Sequence, residues 1–127
     1  MFASYREYFP YYVAMHSKVL TRRLHVAGTL TGLTLSAAGL LTGRRKLIGA
    51  LPVLGYGFAW PSHWLIEGNN PASFGHPAWS LRGDFEMIAM MVTGRDRELT
   101  IIARDWLTAH PEHRTPANWK QPLRLVA

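Results

Sequence analysis

Histidine is the residue type in this chain with the clearest capacity for chemistry, because six histidines occur in 127 residues that contain no cysteine. Without thiolates, imidazole and carboxylate groups are the side chains available to hold a transition metal. Such side chains are densest in residues 58–84, a stretch that also contains an apolar segment and a loop rich in Gly, Asn and Pro. This stretch predicts half of a metal site next to an apolar surface.

The candidate ligands in this stretch are His63 and His76. Glu67 follows His63 by four positions, so both side chains share one helix face. Glu67 is therefore expected either to bind the same ion or to orient His63. His76 lies in a loop directly before a proline, where the backbone is extended and the ring is free to point back to the site. His110 and His113, near the C-terminus, are interpreted as ordinary surface histidines.

The other half of the site is expected from His16 and His25. These residues are nine positions apart, which places them on opposite faces of an unbroken helix. They can converge only if the chain turns between them, and residues 18–21 are where we expect that turn.

Two almost uncharged segments, residues 24–42 and 47–66, are each close to the ~20 residues that cross the hydrocarbon core of a membrane. The basic residues 44–46 separate them and predict the turn of an antiparallel helical hairpin. Glycines at positions 28, 32 and 39 and at positions 49, 55 and 57 offer small faces for close helix contact. The alternative is a pair of buried helices in a soluble protein, which seldom lack charges over such a length.

A hairpin gathers the histidines on one side, because its first helix starts where its second helix ends. His25 and His63 then meet at one membrane face, and the flanking segments bring His16 and His76 to the same face. Basic residues on this side slightly outnumber those at the hairpin turn, so the positive-inside rule places the metal site on the cytoplasmic side. The expected localisation is a membrane, which is the inner, cytoplasmic membrane if the chain is bacterial.

The expected fold class is all-α: a small membrane helical bundle with a central two-helix apolar hairpin and flanking amphipathic helices. An aromatic helix reaches about Val19, is interrupted at Pro10, and lies either at a membrane interface or against a core. A third helix ends at Gly94, and Asp96 caps a fourth. The apolar stripe of the third helix consists of Leu81, Phe85, Ile88 and Val92. Residues 1–109 form the helical domain, and residues 110–127 form a Pro-rich C-terminal tail.

The charge distribution favours lipid as a partner. The net charge is +6, with a pI near 10.2, and the basic clusters flank the apolar segments, which favours lipid headgroups over nucleic acid. A Gly-rich phosphate loop between a strand and a helix is missing. Ser62, His63, Ser80 and Asp84 lack the context of a hydrolase nucleophile. The expected partners therefore include membrane lipid and exclude nucleic acid, and an oligomer is compatible with the sequence.

Several separated motifs resemble the 2-hydroxy fatty acid dioxygenase family. They are YYVAMH at residues 11–16, RRLHVAGT at 22–29, GYGFAWPSHWLIEGNNPA at 55–72 and HPAWSLRGDFEM at 76–87. The family's pair of histidines nine positions apart falls on His16 and His25. Its Ser-His-x-x-x-Glu-x-Asn-x-Pro-Ala pattern falls on Ser62, His63, Glu67, Asn69, Pro71 and Ala72. The matches span roughly residues 5–94.

The resemblance implies an Fe(II)-dependent dioxygenase that uses O2 to shorten a 2-hydroxy fatty acid by one carbon, as in fatty acid alpha-oxidation. The metal ligands expected for this activity are His16, His25, His63 and His76.

Catalytic roles are expected for three further residues. Glu67 or Asp84 could hold a ligand histidine by its second nitrogen, and Arg82, or alternatively Arg22 or Arg23, could neutralise the substrate carboxylate. Two alternatives stay open: a non-catalytic membrane protein whose histidines contact headgroups, and a haem protein with His25 and His63 as axial ligands.

Overall fold

The structure is a computed structural model that describes residues 2–113, and this part of the chain contains helices and turns but no strand. The all-α prediction is confirmed for these residues. The elements are α1 (Tyr5–Ala14), α2 (Val19–Thr42), α3 (Arg45–Ile48), α4 (Ala50–Ser62), a π-helical turn (His63–Glu67), a 3-10 turn (Ala72–Phe74), α5 (Pro77–Val92), α6 (Asp96–Ala109) and a 3-10 turn (Pro111–His113). Most of the predicted tail, residues 110–127, lies outside the described residues, so the division into domain and tail stays a prediction.

Helix α1 supplies the largest share of the hydrophobic core. Tyr8 is fully buried, and α5 and α6 pack against α1 with Met87 and Leu99. The structure therefore supports the core-facing interpretation of the aromatic stripe. The predicted interruption at Pro10 is wrong, because Pro10 lies inside α1. The carbonyl that Pro10 leaves without a donor belongs to Arg6, an exposed residue where water can pair with it.

Helices α2 and α4 pack against each other as the predicted antiparallel hairpin. Glycines of α2 allow the backbones to approach closely: a Cβ at Gly28 would lie 2.8 Å from the carbonyl oxygen of Leu54, and one at Gly32 would lie 2.7 Å from Cα of Leu51. Gly39 is equally close to α3. The small face at positions 28, 32 and 39 is thus used as predicted. Glycines 49, 55 and 57 have no such neighbour within 4 Å and do not serve this purpose.

The second apolar segment is not the single helix predicted for residues 47–66. It is divided at Gly49, and α4 begins directly afterwards, with Pro52 in its first turn, where a missing N–H needs no partner. After Pro61, α4 widens into the π-helical turn. Pro61 cannot donate the hydrogen bond that would hold a regular helix at this point.

Among the described helices, α2 is the one that is long and apolar enough to cross a membrane. Its candidate span is only 28% buried within the fold, whereas the core helix of a soluble protein is mostly buried. The exposed side of the hairpin carries large apolar side chains, including Leu40, Leu41 and Val53. A single such helix does not establish a membrane span.

The apolar stripe predicted for α5 is only partly directed at the core. Ile88 is buried, whereas Leu81, Phe85 and Val92 are exposed. The buried face of α5 consists of Ser80, Gly83, Met87, Ile88 and Met90. This face mixes small and polar residues with apolar ones because it packs against the aromatic rings of α1, and a stripe of large apolar residues therefore does not mark it.

Candidate metal centre

Three of the four predicted ligand histidines converge where the hairpin meets the core. Nε2 of His16 lies 3.1 Å from Nε2 of His25 and 3.1 Å from Nε2 of His63. Each of the three residues is at most 3% exposed, and their candidate ligand atoms lie within 4.8 Å of one another. Within residues 2–113, this is the one group of histidine and acidic side chains close enough to share an ion.

The second nitrogen of each imidazole, Nδ1, faces an oxygen that can only accept a hydrogen bond. The three acceptors are the backbone carbonyl of Tyr12 at 2.6 Å from His16, the backbone carbonyl of Thr21 at 2.9 Å from His25, and Oδ1 of Asn69 at 2.7 Å from His63. Each Nδ1 therefore carries the hydrogen and donates it. The three Nε2 atoms are left with their lone pairs directed at one another.

This donor set fits a transition-metal ion. Burial, together with the neighbouring His25 and His63, lowers the pKa of His16 well below its ordinary value, so the imidazole is neutral at pH 7. Neutral Nε2 atoms are common ligands of divalent first-row metals. Three lone pairs without a hydrogen between them repel each other, and a cation placed among them removes that repulsion.

The turn between α1 and α2 is held by Glu67. Its carboxylate accepts hydrogen bonds from Oγ of Ser17 at 2.9 Å and from the backbone N–H of Lys18 at 2.6 Å, and Nζ of Lys18 donates to the carbonyl of Ile66. Lys18 is the residue directly before α2, so the carboxylate caps the N-terminus of that helix from outside. The predicted turn between the first two histidines exists, but it lies at residues 15–18 and not at 18–21, because α2 already begins at Val19.

Glu67 is consequently placed differently from the sequence-based prediction. Among the described residues, Glu67 does not belong to the three-histidine group. Its carboxylate bonds to Ser17 and Lys18 and not to His63. The expected helix face is lost because the segment from His63 is a π-helical turn, in which residues four apart no longer lie directly above each other.

Arg22 fixes the same turn from the interior. It is fully buried, and its Nη1 donates to the carbonyls of His16 and Ser17 at 3.0 Å each. Its Nε donates to Oδ1 of Asp96 and its Nη2 to Oγ1 of Thr100, both at 2.8 Å. Asp96 was predicted to cap α6, but it is the first residue of that helix and pairs with Arg22. The backbone of His16 is thereby tied to α6.

Asn69 orients His63. The backbone N–H groups of Gly68 and Asn69 both donate to the carbonyl of His63, at 2.8 and 3.1 Å, and Gly68 has a φ of 75°, which favours glycine. The returning chain lets Oδ1 of Asn69 accept from His63 while Nδ2 donates to the carbonyl of Met15 at 3.0 Å. Helical periodicity could not have predicted that Asn69 contacts His63. The sequence feature that indicated a role for Asn69 was its place in the Ser-His-x-x-x-Glu-x-Asn pattern.

Asp84 lies beside the three histidines. Its Oδ1 is 3.8 Å from Nε2 of His25 and accepts a hydrogen bond from the hydroxyl of Tyr12. Burial raises the pKa of Asp84, and burial together with the Asp84 carboxylate raises the pKa of Tyr12 well above its ordinary value. Gly83 makes this contact possible, because a Cβ there would lie 2.9 Å from the Tyr12 ring. Asp84 therefore faces Nε2 of His25, not the second nitrogen that was predicted.

The structure does not bring His76 or Arg82 to the three histidines. The ring of His76 stacks on Trp79, with 5.2 Å between centroids, and contacts Tyr8. Arg82 is exposed, and its guanidinium lies 3.8 Å from the ring centroid of Tyr5. Neither residue lines the cavity at the histidines.

That cavity has a volume of about 20 Å³, enough for a group the size of water. Its polar part consists of Tyr12, His16, His25, His63, Ser80 and Asp84. Its remaining wall consists of Tyr56, Ala59, Trp60, Pro71, Ala72, Ser73, Pro77 and Leu81. The arrangement can hold a metal ion and admit a small polar group from an apolar side.

A family model described as 2-hydroxy-palmitic acid dioxygenase Mpo1-like matches residues 2–96. No curated protein and no solved structure matches the chain. The matched residues include the three histidines, Asn69 and Asp84, and they make up more than half of the sequence. The chain therefore belongs to the 2-hydroxy-palmitic acid dioxygenase Mpo1-like family, as its motifs indicated.

Proposed function

We propose that this protein is an Fe(II)-dependent dioxygenase that shortens 2-hydroxy fatty acids by one carbon at a membrane. The observation that carries the proposal is the convergence of three Nε2 lone pairs in a chain of the Mpo1-like family. His16, His25 and His63 would hold the ion, while His76 is not part of the proposed ligand set. Bound Fe(II) would supply the redox chemistry that activation of O2 requires.

Asp84 and Tyr12 would orient the polar end of the substrate. The carboxylate of Asp84 lines the cavity next to His25, where it can accept a hydrogen bond from the 2-hydroxyl group. The Tyr12 hydroxyl donates to the same carboxylate and would hold it in place. Asp84 thus keeps a role in the proposed site, whereas Glu67 is assigned to the turn and Arg82 to the protein surface.

The acyl chain would leave the small cavity past its apolar wall. Tyr56, Trp60 and Leu81 line the cavity, and Tyr56 and Leu81 are also exposed on the outside of the protein. An acyl chain that leaves the cavity between them would enter the same apolar surroundings as the exposed side of the hairpin. The apolar wall of the cavity is thus continuous with the apolar outer side of the hairpin, which supports a location in a membrane. The metal centre would lie at the end of the hairpin opposite the basic residues 44–46.

Haem is not supported as an alternative cofactor. The ring centroids of His25 and His63 are 5.3 Å apart, and Nε2 of His16 lies within 3.1 Å of Nε2 of both residues. A porphyrin plane needs an open slot between two axial histidines, and His16 fills that space.

Metal analysis of detergent-purified protein tests the proposal. After anaerobic loading with Fe(II) and desalting, the wild type should retain about one iron per chain, His63→Ala should retain little, and the matched control His76→Ala should retain as much as the wild type. Incubation with a 2-hydroxy fatty acid and O2 should then yield the acid that is one carbon shorter, with the wild type and His76→Ala only. Trace iron in the wild type would refute the proposal.

A further inference from the structure

The indole N–H of Trp60 is a buried donor with no hydrogen-bond partner among residues 2–113. Trp60 lies near the end of α4, three positions before His63, and lines the cavity at the three histidines. An indole N–H can donate but not accept, and a buried donor without an acceptor destabilises a fold. The other side-chain atom in this situation, Oγ1 of Thr21, belongs to a residue that does not line the cavity.

The ring of Trp60 is held in place by other aromatic side chains. Its centroid lies 5.2 Å from that of Tyr56, which also lines the cavity, and 5.4 Å from that of Phe74 in an edge-on arrangement. A donor on a ring supported from two sides is oriented before any ligand arrives, which lowers the entropic cost of forming a hydrogen bond with that ligand.

The cavity offers no basic side chain for a carboxylate. Its lining contains neither Lys nor Arg. Among nearby arginines, Arg22 donates to Asp96, Thr100 and two backbone carbonyls, and Arg82 lies on the exposed ring of Tyr5. Apart from the proposed metal ion, the groups that could bind an anionic group in the cavity are therefore uncharged donors.

We infer that Trp60 is a positioning residue for the substrate, and that its indole N–H donates a hydrogen bond to the carboxylate of the 2-hydroxy fatty acid. This inference rests on the proposed function. The carboxylate supplies the acceptor that Trp60 lacks in the structure. Substrates are then selected by a carboxylate next to a 2-hydroxyl group, and acids are favoured over the corresponding 1,2-diols.

The test compares Trp60→Phe with Trp64→Phe. Trp60→Phe keeps an aromatic ring and removes the N–H. Trp64→Phe makes the same change at a residue that is 45% exposed and does not line the cavity, and because its ring centroid lies 6.2 Å from that of Trp60, it controls for altered packing around Trp60. Each protein is loaded with Fe(II), and binding of a 2-hydroxy fatty acid and of the matching 1,2-diol is measured by calorimetry without O2. Steady-state KM and kcat for the acid are then measured with O2.

We expect Trp60→Phe to bind the acid about 10- to 100-fold more weakly, as for loss of a hydrogen bond to a charged group, and to bind the diol as the wild type does. Its KM should rise more than its kcat falls, its iron content should be unchanged, and Trp64→Phe should match the wild type. Replacement of Trp60 by 3-benzothienylalanine, which has the same shape but no N–H, should give the same result if Trp60→Phe folds poorly.

Equal binding of the acid by Trp60→Phe and the wild type would overturn the inference while leaving the proposed function intact. Equal losses for the acid and the diol would also overturn it, because they would reflect ring packing alone. A wild type that neither binds nor converts the acid would refute the proposed function, and the inference would fall with it.

Discussion

The tautomers of the three histidines are determined by three oxygen atoms, and two of these atoms belong to the backbone. His16 donates to the carbonyl of Tyr12 and His25 to the carbonyl of Thr21, in each case four residues earlier. Every helical residue has a backbone carbonyl four positions before it, so the sequence does not show which histidine side chain donates to that carbonyl. His63 differs, because its Nδ1 depends on the side chain of Asn69, which makes this ligand the one most easily disturbed by substitution.

Asn69→Ala should weaken Fe(II) binding by about 10- to 100-fold, the usual cost of removing a group that orients a metal-bound histidine. The substitution leaves Nδ1 of His63 and the carbonyl of Met15 without their partner. Asn69→Asp, which keeps an acceptor for Nδ1, should lose less affinity. Competition titration against a chromophoric chelator measures both, and an unchanged affinity in Asn69→Ala would show that Asn69 does not orient His63.

At the scale of the elements, the site depends on two contacts that place its segments. The Glu67 carboxylate closes the turn between α1 and α2, and the glycine face of α2 brings α4 close. The hairpin, the use of positions 28, 32 and 39, and the need for a turn after His16 were all predictable from residue types and spacing. The capping carboxylate was not, because it contacts a segment distant in sequence. The π-helical turn was not, because a proline within a helical pattern can also kink or end the helix.

Glu67→Ala should lower the free energy of unfolding by about 1–2 kcal/mol, because it removes a helix cap and two hydrogen bonds to a charged acceptor. Glu98→Ala is the control, since Glu98 is an exposed glutamate whose carboxylate bonds to the exposed Arg95, and it should lower the Tm by less than Glu67→Ala does. Thermal unfolding in detergent provides the comparison. At saturating Fe(II) both variants should still bind one iron, and loss of the iron in Glu67→Ala at a temperature where it is folded would instead favour Glu67 as a ligand.

Gly32→Ala should destabilise the protein by about 1–3 kcal/mol, as overpacking does, because the added Cβ meets the backbone of α4 at 2.7 Å. Gly57→Ala adds the same atom on α4 where nothing lies within 4 Å, and it should be neutral or stabilise the helix by about 0.5–1 kcal/mol. Unfolding followed by circular dichroism distinguishes them. Equal stability of the two variants would contradict the close packing of the hairpin.

At the scale of the whole molecule, buried and exposed apolar residues are divided between two parts. The core lies among α1, α5 and α6, whereas the hairpin of α2 and α4 contains few buried large side chains and many exposed ones. Water is a poor solvent for such a hairpin. The proposed location in a membrane, with the hairpin inside it and the core outside, would account for this division.

Val53→Asp should therefore weaken binding to lipid vesicles by at least tenfold, because a carboxylate inside the hydrocarbon region costs about 2.5–3.5 kcal/mol on insertion scales. Val53 is 70% exposed on α4. Ile101→Asp places the same charge at an exposed apolar position of α6 and should leave vesicle binding unchanged. Flotation of purified protein with vesicles measures the difference, and equal flotation of the two variants would argue against a membrane-embedded hairpin.

The three Nε2 atoms also have a consequence for the order of folding. His16 and His63 are separated by 47 positions, and the intervening chain is the whole hairpin, so the ligand set is complete only after that long loop has closed. An ion that binds only the closed chain stabilises it by mass action, and 100-fold excess over its dissociation constant adds about 2.7 kcal/mol. Metal binding would thus stabilise only those chains whose hairpin has assembled. Chains with an unassembled hairpin would not be stabilised by the ion and would stay susceptible to proteolysis.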